Sequence, residues 1–362
     1  MKIALVHEFL NQLGGAERVL LNFLEIWPDA EIHVILYSAE NTDRQFEKYK
    51  KQISFLDKFP GVHSHPRLFL PLMAKAIESF DFSDYDLVLS DSSSFAKGAK
   101  AKGKLHICYC HTPTRFLWTD PDYLSRQPYP VLFRWLGKFF LPKLKRWDLA
   151  AAQRPTFFIA NSVNVQNRIK TFYGRDSVVI PPPVDTQFFR QTSSKQDYFF
   201  TASRLEPYKK IEVVIAAFNE LRWRLKIAGT GTIIDKLQVM AKSNIEFLGR
   251  VSDEDLRQYY SESRAFIFPT VEDAGIMILE AAACGTPVIA YRAGGALETI
   301  IQGTTGEFFN EQTPQSLITA LRNFYPAQYQ SQTIRQHALR FDKKNFQQKI
   351  KAYVEEKYAD RD

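Results

Sequence analysis

The sequence predicts an α/β protein of two domains, each built on a parallel sheet with helices on both faces. Short apolar runs alternate with helical patterns along the 362 residues, which is typical of parallel sheets. Hydrophobic residues make up 45% of the chain and charged residues 24%, a balance that indicates globular domains rather than disorder. A chain of this length is too long for one ordinary core and suits two domains of middling size.

The predicted elements follow this alternation in both halves of the chain. In the first half we predict strands at 2–7, 31–37, 86–90, 105–109 and 156–160, and a helix at 16–26. In the second half we predict strands at 197–202, 224–228, 245–248, 265–268 and 287–290, and helices near 209–221, 232–241, 253–261, 276–284 and 314–324. Such sheets bind ligands at the carboxyl ends of their strands, so candidate site residues are sought there.

A change in composition marks the boundary between the halves. Three consecutive prolines at 181–183 end a strand-like run, and the polar residues 191–197 have the composition of a linker. We therefore predict a first domain at 1–190 and a second domain at 191–342.

Composition also narrows the class of protein. The cysteines Cys108, Cys110 and Cys284 fit no disulfide framework, zinc knuckle or redox pair, so we predict small buried residues in a reducing compartment. No apolar run reaches the roughly 18 residues of a membrane span, and the opening residues 1–7 resemble a strand rather than a signal peptide. We expect a cytoplasmic protein. The net charge of +7 fits nucleic acid, anionic lipid or phosphorylated small molecules as partners without choosing among them.

The first candidate site is a glycine pair that follows the first strand and opens a helix. Gly14 and Gly15 let the backbone approach a ligand closely, and the N–H groups at a helix start favour an anion. The spacing is not that of the dinucleotide fingerprint G-x-G-x-x-G. A plain strand-to-helix turn is the alternative.

The second candidate is the basic segment 203–210, which follows the predicted strand 197–202. Arg204 and Lys209 are five residues apart, and two cations at the end of a strand can bracket a diphosphate without a metal ion. A solvated basic loop is the alternative, because arginine and lysine are mostly exposed in proteins.

The third and strongest candidate is an acidic loop followed by a helix, within residues 268–290. The helix starts near Gly275 and places Glu280 among apolar side chains, where ribose hydroxyls would satisfy the buried carboxylate. Glu272 precedes the helix and can reach a ligand at its N-terminus, where the backbone N–H groups of 274–276 favour phosphate. A capping acid with a structural ion pair is the alternative.

Three further segments follow predicted strands. Gly294-Gly295 and Gly229-Thr230-Gly231 are similar to phosphate turns, although neither needs a ligand to form a turn. His111 follows strand 105–109 beside a proline-fixed loop, where it can contact a sugar hydroxyl or exchange a proton. A histidine that only makes a structural hydrogen bond is the alternative.

Together these segments resemble the family-4 retaining glycosyltransferases, whose GT-B fold has two Rossmann-like domains facing across a cleft. The resemblance covers nearly the whole chain. Residues 272–290 are similar to the family's E-x7-E motif and the signature EDFG-I…EA-ACG-PVIA, residues 204–209 to its R-L-x-x-x-K donor clamp, and residues 14–17 to its glycine-rich loop. Segments 110–115, 146–148 and 158–162 resemble motifs of the WbaZ-like mannosyltransferase branch.

The resemblance implies a role for each candidate residue. The implied catalytic residues are Glu272, His111, Arg204 and Lys209. The implied donor-binding residues are Glu280, Arg204, Lys209, Val251, Asp273, Ala274, Gly275, Ile276, Gly14 and Gly15. Glu280 would bind the ribose, Arg204 and Lys209 the diphosphate, and Glu272 the transferred sugar. His111 would contact that sugar from the other domain, and a helix within 343–362 would cross back onto the first domain.

Two residues depart from the family pattern. Ala274 stands where the family usually has phenylalanine, so a side chain beside the phosphates and the sugar is missing. Lys210 replaces the glycine that commonly follows the clamp lysine. The first departure concerns donor choice, and we expect the second to be tolerated.

The resemblance implies no metal ion and no cofactor besides the nucleotide sugar. Arg204, Lys209 and a helix N-terminus would stabilise the charge on the departing diphosphate. The pattern Asp84-Tyr85-Asp86 precedes a strand, so we predict strand-entry acids rather than a metal site. Retention at the anomeric carbon follows from the family, and a front-face mechanism is the expectation.

The implied partners are a nucleotide-sugar donor and a glycan or lipid-linked acceptor in polysaccharide biosynthesis. GDP-mannose is the leading donor and UDP-sugars are the second candidate. Basic and aromatic residues in 132–154, with the lysines of 96–104, predict peripheral contact with an anionic membrane, and a buried helix is the alternative. A sugar-nucleotide epimerase and a nucleic-acid-binding protein are remote alternatives; no nucleic-acid-binding motif is present.

Overall fold

Parallel strands and flanking helices alternate along the chain in the computed structural model. The structure describes the backbone of residues 1–119 and 131–361 and the side chains of residues 1–119 and 140–361. The chain divides into two units, one formed by residues 1–181 with 347–362 and the other by residues 182–346.

Thirteen strands are present in the described residues. They are β1 Ile3–Leu10, β2 Glu31–Tyr37, β3 Lys51–Ile53, β4 Leu87–Ser92, β5 Leu105–Cys110, β6 Phe157–Ala160, β7 Val178–Val179, β8 Phe199–Ala202, β9 Leu225–Ala228, β10 Ile245–Gly249, β11 Phe266–Phe268, β12 Val288–Tyr291 and β13 Gly306–Phe309. Every strand predicted from the sequence is confirmed, and the short edge strands β3, β7 and β13 are additional.

The α-helices lie between these strands and at the end of the chain. They are α1 Gly15–Ile26, α2 Leu70–Glu78, α3 Arg115–Trp118, α4 Val131–Ala151, α5 Val163–Tyr173, α6 Ile211–Leu221, α7 Ile234–Met240, α8 Asp253–Glu262, α9 Ile276–Ala283, α10 Ala296–Thr299, α11 Pro314–Arg322, α12 Ser331–Ala338 and α13 Lys343–Ala359. Short 3-10 turns complete the connections, among them Pro207–Lys209.

Each unit contains one parallel sheet. The first sheet has the order β3-β2-β1-β4-β5-β6-β7 and the second the order β10-β9-β8-β11-β12-β13. All described residues of β4 and β5 are buried, as a parallel sheet covered on both faces requires. The strand order reverses beside β1 in the first sheet and beside β8 in the second, and such reversals form the crevice in which these folds bind ligands.

Apolar contacts set the boundary between the units. Phe189 is buried in the core of the second unit, and Val184 pairs through its backbone with Phe341 and Lys343. Residues 182–190 therefore pack with the second unit, although the sequence places them in the first domain. The polar stretch 191–197 is conspicuous in composition, whereas the burial of these two apolar side chains depends on the folded core.

The last helix packs against the first unit along most of its length. The Gln347 amide donates hydrogen bonds to Asn22 at 3.1 Å and to Glu25 at 2.7 Å, both on α1. The Tyr353 ring lies edge-on to Phe157 of β6, with ring centroids 6.5 Å apart. The end of the chain therefore belongs to the first unit, to which the sequence resemblance also assigns it.

Candidate active site

In the second unit, glycines hold the segment after β8 against the loop after β9. The backbone N–H of Leu205 donates to the Thr230 carbonyl at 2.8 Å. A Cβ atom at Gly229 would lie 1.8 Å from the Ser203 carbonyl oxygen, and one at Gly231 would lie 2.3 Å from that of Leu205. Close backbone approach alone therefore explains why both positions are glycine.

This packing positions the two predicted cations. Arg204 is exposed, and its guanidinium donates to the Tyr208 hydroxyl at 3.1 Å. The Lys209 ammonium forms an ion pair with the Glu272 carboxylate, and both side chains are largely buried, with exposures of 12% and 23%. The structure thus brings together a cation after β8 and a carboxylate after β11, two positions 63 residues apart in the sequence.

A second glycine pair supports the acidic loop that carries Glu272. The Gly295 N–H donates to the Glu272 carbonyl at 2.8 Å. A Cβ atom at Gly294 would lie 2.4 Å from that same carbonyl oxygen, and one at Gly295 would lie 2.7 Å from the Cα of Ala274. Gly294 and Gly295 therefore pack directly against the backbone of the acidic loop and support it. This packing explains why both positions are glycine without a direct ligand contact.

Helix α9 begins directly after the acidic loop. Gly275 precedes it in the left-handed conformation, with φ of 66°, and Asp273 is buried while Ala274 and Ile276 are half-buried. The first N–H groups of an α-helix have no intrahelical partner, so this end is suited to an anion. Val251 is half-buried between β10 and the N-cap of α8.

Glu280 lies one turn into α9 and is only 5% exposed. The Tyr260 hydroxyl donates to its Oε2 at 3.2 Å. This protein donor was not expected from the sequence, which assigns the carboxylate to ribose hydroxyls. A carboxylate accepts several hydrogen bonds, so Tyr260 accounts for only part of its capacity.

In the first unit, the glycine-rich loop is held by a buried acid on α1. Glu17 accepts the Gly14 N–H through Oε2 at 2.9 Å and the Gln12 amide through Oε1 at 3.5 Å. The Glu17 side chain is 4% exposed, and its Oε1 lies 3.8 Å from Nε2 of His7. The Glu17 carboxylate therefore anchors the loop that contains Gly14 and Gly15.

The predicted histidine is joined to the same buried group. Asp91 contacts Nδ1 of His7 through Oδ2 at 2.9 Å and Nε2 of His111 through Oδ1 at 2.6 Å. His7 and Asp91 are register partners on the adjacent strands β1 and β4. The Tyr109 ring lies edge-on to His111, with ring centroids 5.3 Å apart.

The carboxylates of this cluster favour the protonated form of its imidazoles. Burial lowers the pKa of His7, but its hydrogen bond to Asp91 and the nearby Glu17 carboxylate outweigh that effect and raise the pKa to about 10. Burial likewise lowers the pKa of His111, and the charge and hydrogen bond of Asp91 raise it above its ordinary value. The pKa values of Asp91 and Glu17 are lowered, against the effect of burial, by their histidine partners.

The prediction that residues 132–154 and the lysines of 96–104 form a basic and aromatic surface is wrong in part. Lys97 is 1% exposed and pairs with Asp148 at 2.6 Å, while Trp147 and Arg154 both donate to Glu78, at 2.7 and 2.6 Å. These groups are buried or paired because acidic side chains from distant segments meet them. Other members of the surface are exposed: Phe140, Lys143, Lys145 and Arg146. The side chains of Phe133, Arg134, Trp135, Lys138 and Phe139 lie outside the described residues.

Further observations concern metal ions, membrane spans and cysteines. No group of three or more histidine, cysteine, aspartate or glutamate side chains in the described ranges is arranged to hold a metal ion. Asp86 accepts the Lys2 N–H at 2.6 Å at the amino end of β4, which confirms a strand-entry acid. Within the part of the chain that the structure describes, no helix is long and apolar enough to cross a membrane. The three cysteines are buried, and none of these residues forms a disulfide in the described structure.

Comparison with known families decides the class of protein. The profile described as Glycosyltransferase Family 4 matches residues 13–188, and the profile described as Glycosyl transferases group 1 matches residues 184–350. The chain belongs to the family-4 glycosyltransferases. The two profiles together cover both units and every candidate site residue.

This family-4 glycosyltransferase is similar to two curated relatives over about half of their length. A GDP-mannose-dependent alpha-(1-6)-phosphatidylinositol monomannoside mannosyltransferase of Mycolicibacterium smegmatis is 30% identical over 188 residues, 43% of this chain and 49% of that protein. The D-rhamnosyltransferase WbpZ of Pseudomonas aeruginosa is 30% identical over 206 residues, 52% of this chain and 54% of that protein.

Solved structures support the fold of this family-4 glycosyltransferase. The crystal structure of Anabaena HepE in complex with UDP matches with a TM-score of 0.75 at 19% identity, covering 98% of this chain and all of that one. The architecture of two Rossmann-like α/β units is the GT-B fold, as the sequence predicts.

Proposed function

We propose that this family-4 glycosyltransferase transfers a hexose from a nucleotide diphosphate to a glycan or a lipid-linked saccharide. Mannose from GDP-mannose is the leading donor, the anomeric configuration is retained, and no metal ion is required. One observation carries the proposal: Lys209 and Glu272 are in contact at the ends of β8 and β11, next to α9 with the buried Glu280.

The chemistry of transfer explains the need for these groups. The bond between the anomeric carbon and the diphosphate oxygen breaks, and negative charge builds up on the departing nucleotide. Arg204, Lys209 and the N-terminus of α9 stabilise that charge in a preorganised site. The acceptor hydroxyl oxygen forms the new bond to the anomeric carbon, and its proton passes to the departing phosphate oxygen, as a front-face mechanism requires.

The Lys209–Glu272 ion pair gives the two residues a shared role. In the proposed complex Lys209 contacts the diphosphate and Glu272 contacts the transferred sugar, so the pair sits at the bond that breaks. Each group holds the other in position before the donor arrives. Loss of Glu272 is therefore expected to affect turnover more than nucleotide binding.

The donor proposal rests on the curated relatives. The mycobacterial relative uses GDP-mannose, and that relative's acceptor is a phosphatidylinositol monomannoside. Uridine nucleotides are the alternative donors to be compared, because the structurally similar HepE was solved with UDP.

Peripheral contact with an anionic membrane at the cytoplasmic face is part of the proposal, and exposed Lys143, Lys145 and Arg146 on α4 are suited to it.

A transfer assay with EDTA tests the proposal. The protein is incubated with GDP-mannose or UDP-glucose and a synthetic α-mannoside acceptor; nucleotide release is followed by chromatography and the product linkage by NMR. We expect acceptor-dependent release of one nucleotide and an α-linked product. Glu272→Gln should lower turnover by more than tenfold, whereas Glu298→Gln, an exposed glutamate on α10, should leave it unchanged. Conversion of the donor into an isomeric nucleotide sugar without acceptor would instead identify an epimerase.

A further inference from the structure

A continuous polar chain links the glycine-rich loop of the first unit to His111. It runs from the Gly14 N–H to Glu17 at 2.9 Å, from Glu17 to His7 at 3.8 Å, from His7 to Asp91 at 2.9 Å, and from Asp91 to His111 at 2.6 Å. Its members come from β1, the start of α1, β4 and the residue after β5. This polar chain therefore spans the reversal of strand order between β1 and β4, where ligands bind in this fold.

The burial of this chain is costly and calls for an explanation. The side chains of His7, Glu17 and Asp91 are at most 5% exposed. Buried charges are stable only when paired and hydrogen-bonded, and well-packed apolar side chains often stabilise a core as well or better. A chain of three buried ionisable groups between a ligand loop and a candidate catalytic histidine is thus better explained by positioning than by fold stability.

We infer that Asp91 and His7 are positioning residues that hold His111 with its Nδ1 directed to the substrate and hold the Gly14 loop in place. The inference rests on the proposed function and on the role that the sequence resemblance implies for His111, which is contact with the transferred sugar. Nε2 of His111 is hydrogen-bonded to the Asp91 carboxylate. Within the described residues Nδ1 has no hydrogen-bond partner. Nδ1 is therefore the ring atom that remains available for a polar contact with the substrate.

The charges around His111 favour the protonated ring. Asp91 and Glu8 face it and raise its pKa, while burial and the neighbouring imidazolium of His7 lower it, with a net increase. Tyr109 contributes only a ring edge. Activity that needs protonated His111 is present below this raised pKa and is lost as the pH rises through it. Removal of the Asp91 charge must move that alkaline limb to lower pH.

Asp91→Asn tests the inference against Asp86→Asn, the same change at the amino end of the same strand. For Asp91→Asn we expect kcat to fall about 10- to 100-fold, as for other partners that orient a functional histidine, and the alkaline limb to move to lower pH. Nucleotide binding should stay within about twofold, since the proposed nucleotide ligands lie in the second unit. Asp86→Asn should match wild type. A lower kcat with an unmoved alkaline limb, or wild-type kinetics, would overturn the inference.

Histidine NMR on the wild-type protein provides a test that needs neither activity nor a variant that folds. With 15N-labelled histidine, we expect the proton of His111 on Nε2, titration of His111 above the ordinary value of about 6.5, and protonation of His7 up to a pH of about 10. A His111 that titrates below 6.5 or carries its neutral-form proton on Nδ1 would overturn the inference. A wild-type protein inactive with every donor would refute the proposed function, whereas these spectra would still decide the positioning.

Discussion

Replacement of Glu280 by glutamine tests the proposed ribose contact in a quantitative way. The substitution preserves the volume of a side chain that is only 5% exposed and removes its charge. A hydrogen bond to a charged group contributes about 1.5–3 kcal/mol, and each 1.4 kcal/mol corresponds to about a tenfold change in Kd. Loss of one such bond to the ribose should therefore raise the Kd for the nucleotide about 10- to 100-fold.

The assay is calorimetric titration with GDP and with UDP, and Tyr260→Phe is the matched control. That variant removes the protein hydroxyl that donates to Glu280 at 3.2 Å while leaving the carboxylate for the ribose. We expect its Kd to remain within about threefold of wild type, and melting temperatures check that both variants are folded. Wild-type affinity in Glu280→Gln, or equal weakening in the two variants, would refute the ribose assignment.

Four other predictions concern the backbone, a buried ion pair and pH. Lys210→Gly should raise the free energy of unfolding in urea by about 1 kcal/mol, because Lys210 adopts a left-handed φ of 59°. Gly294→Ala should lower kcat at least about tenfold, since its Cβ would lie 2.4 Å from the Glu272 carbonyl oxygen and would displace the acidic loop. An unchanged kcat would contradict the supporting role of Gly294. Lys97→Met should cost about 3–5 kcal/mol in urea denaturation by leaving Asp148 buried without its cation. Burial lowers the pKa of His33 to about 4 and of His106 to about 3, so both are neutral in the folded protein. The stability that depends on these two neutral histidines is present above a pH of about 6.5 and is lost as the pH falls below it. His33→Phe should therefore weaken the pH dependence of the free energy of unfolding between pH 7 and 5.

Local sequence patterns were sufficient for much of the fold and for selecting the candidate residues of the second unit. Apolar runs bounded by turn residues located the main strands, because a strand buried on both faces must be apolar along its length. Glu280 was predicted because a carboxylate on a mainly buried helix is costly without a partner. Glu272 was predicted because it precedes the helix and can reach a ligand at the helix N-terminus. Their contacts with Lys209 and Tyr260 required the fold.

The positioning chain was not predicted, for a physical reason. Asp91 ends an apolar run and His7 ends another, and a polar residue at the end of a buried strand was the available signal. Their contact depends on the register of β1 against β4, which joins residues 84 apart. The basic and aromatic stretch was misinterpreted for the same reason, since the partner of Lys97 is Asp148, 51 residues further along the chain.

The central claim is a metal-free diphosphate clamp that serves glycosyl transfer, and a thermal-shift measurement in EDTA tests it most directly. Wild-type protein and the double variant Arg204→Ala/Lys209→Ala are heated with GDP-mannose, GDP, UDP-glucose, UDP-GlcNAc or UDP. A ligand at 100 times its Kd stabilises the native state by about 2.7 kcal/mol, a shift of several degrees. We predict that shift with one nucleotide family for wild type and its loss in the double variant. No shift with any nucleotide, or an equal shift in both proteins, would contradict the account.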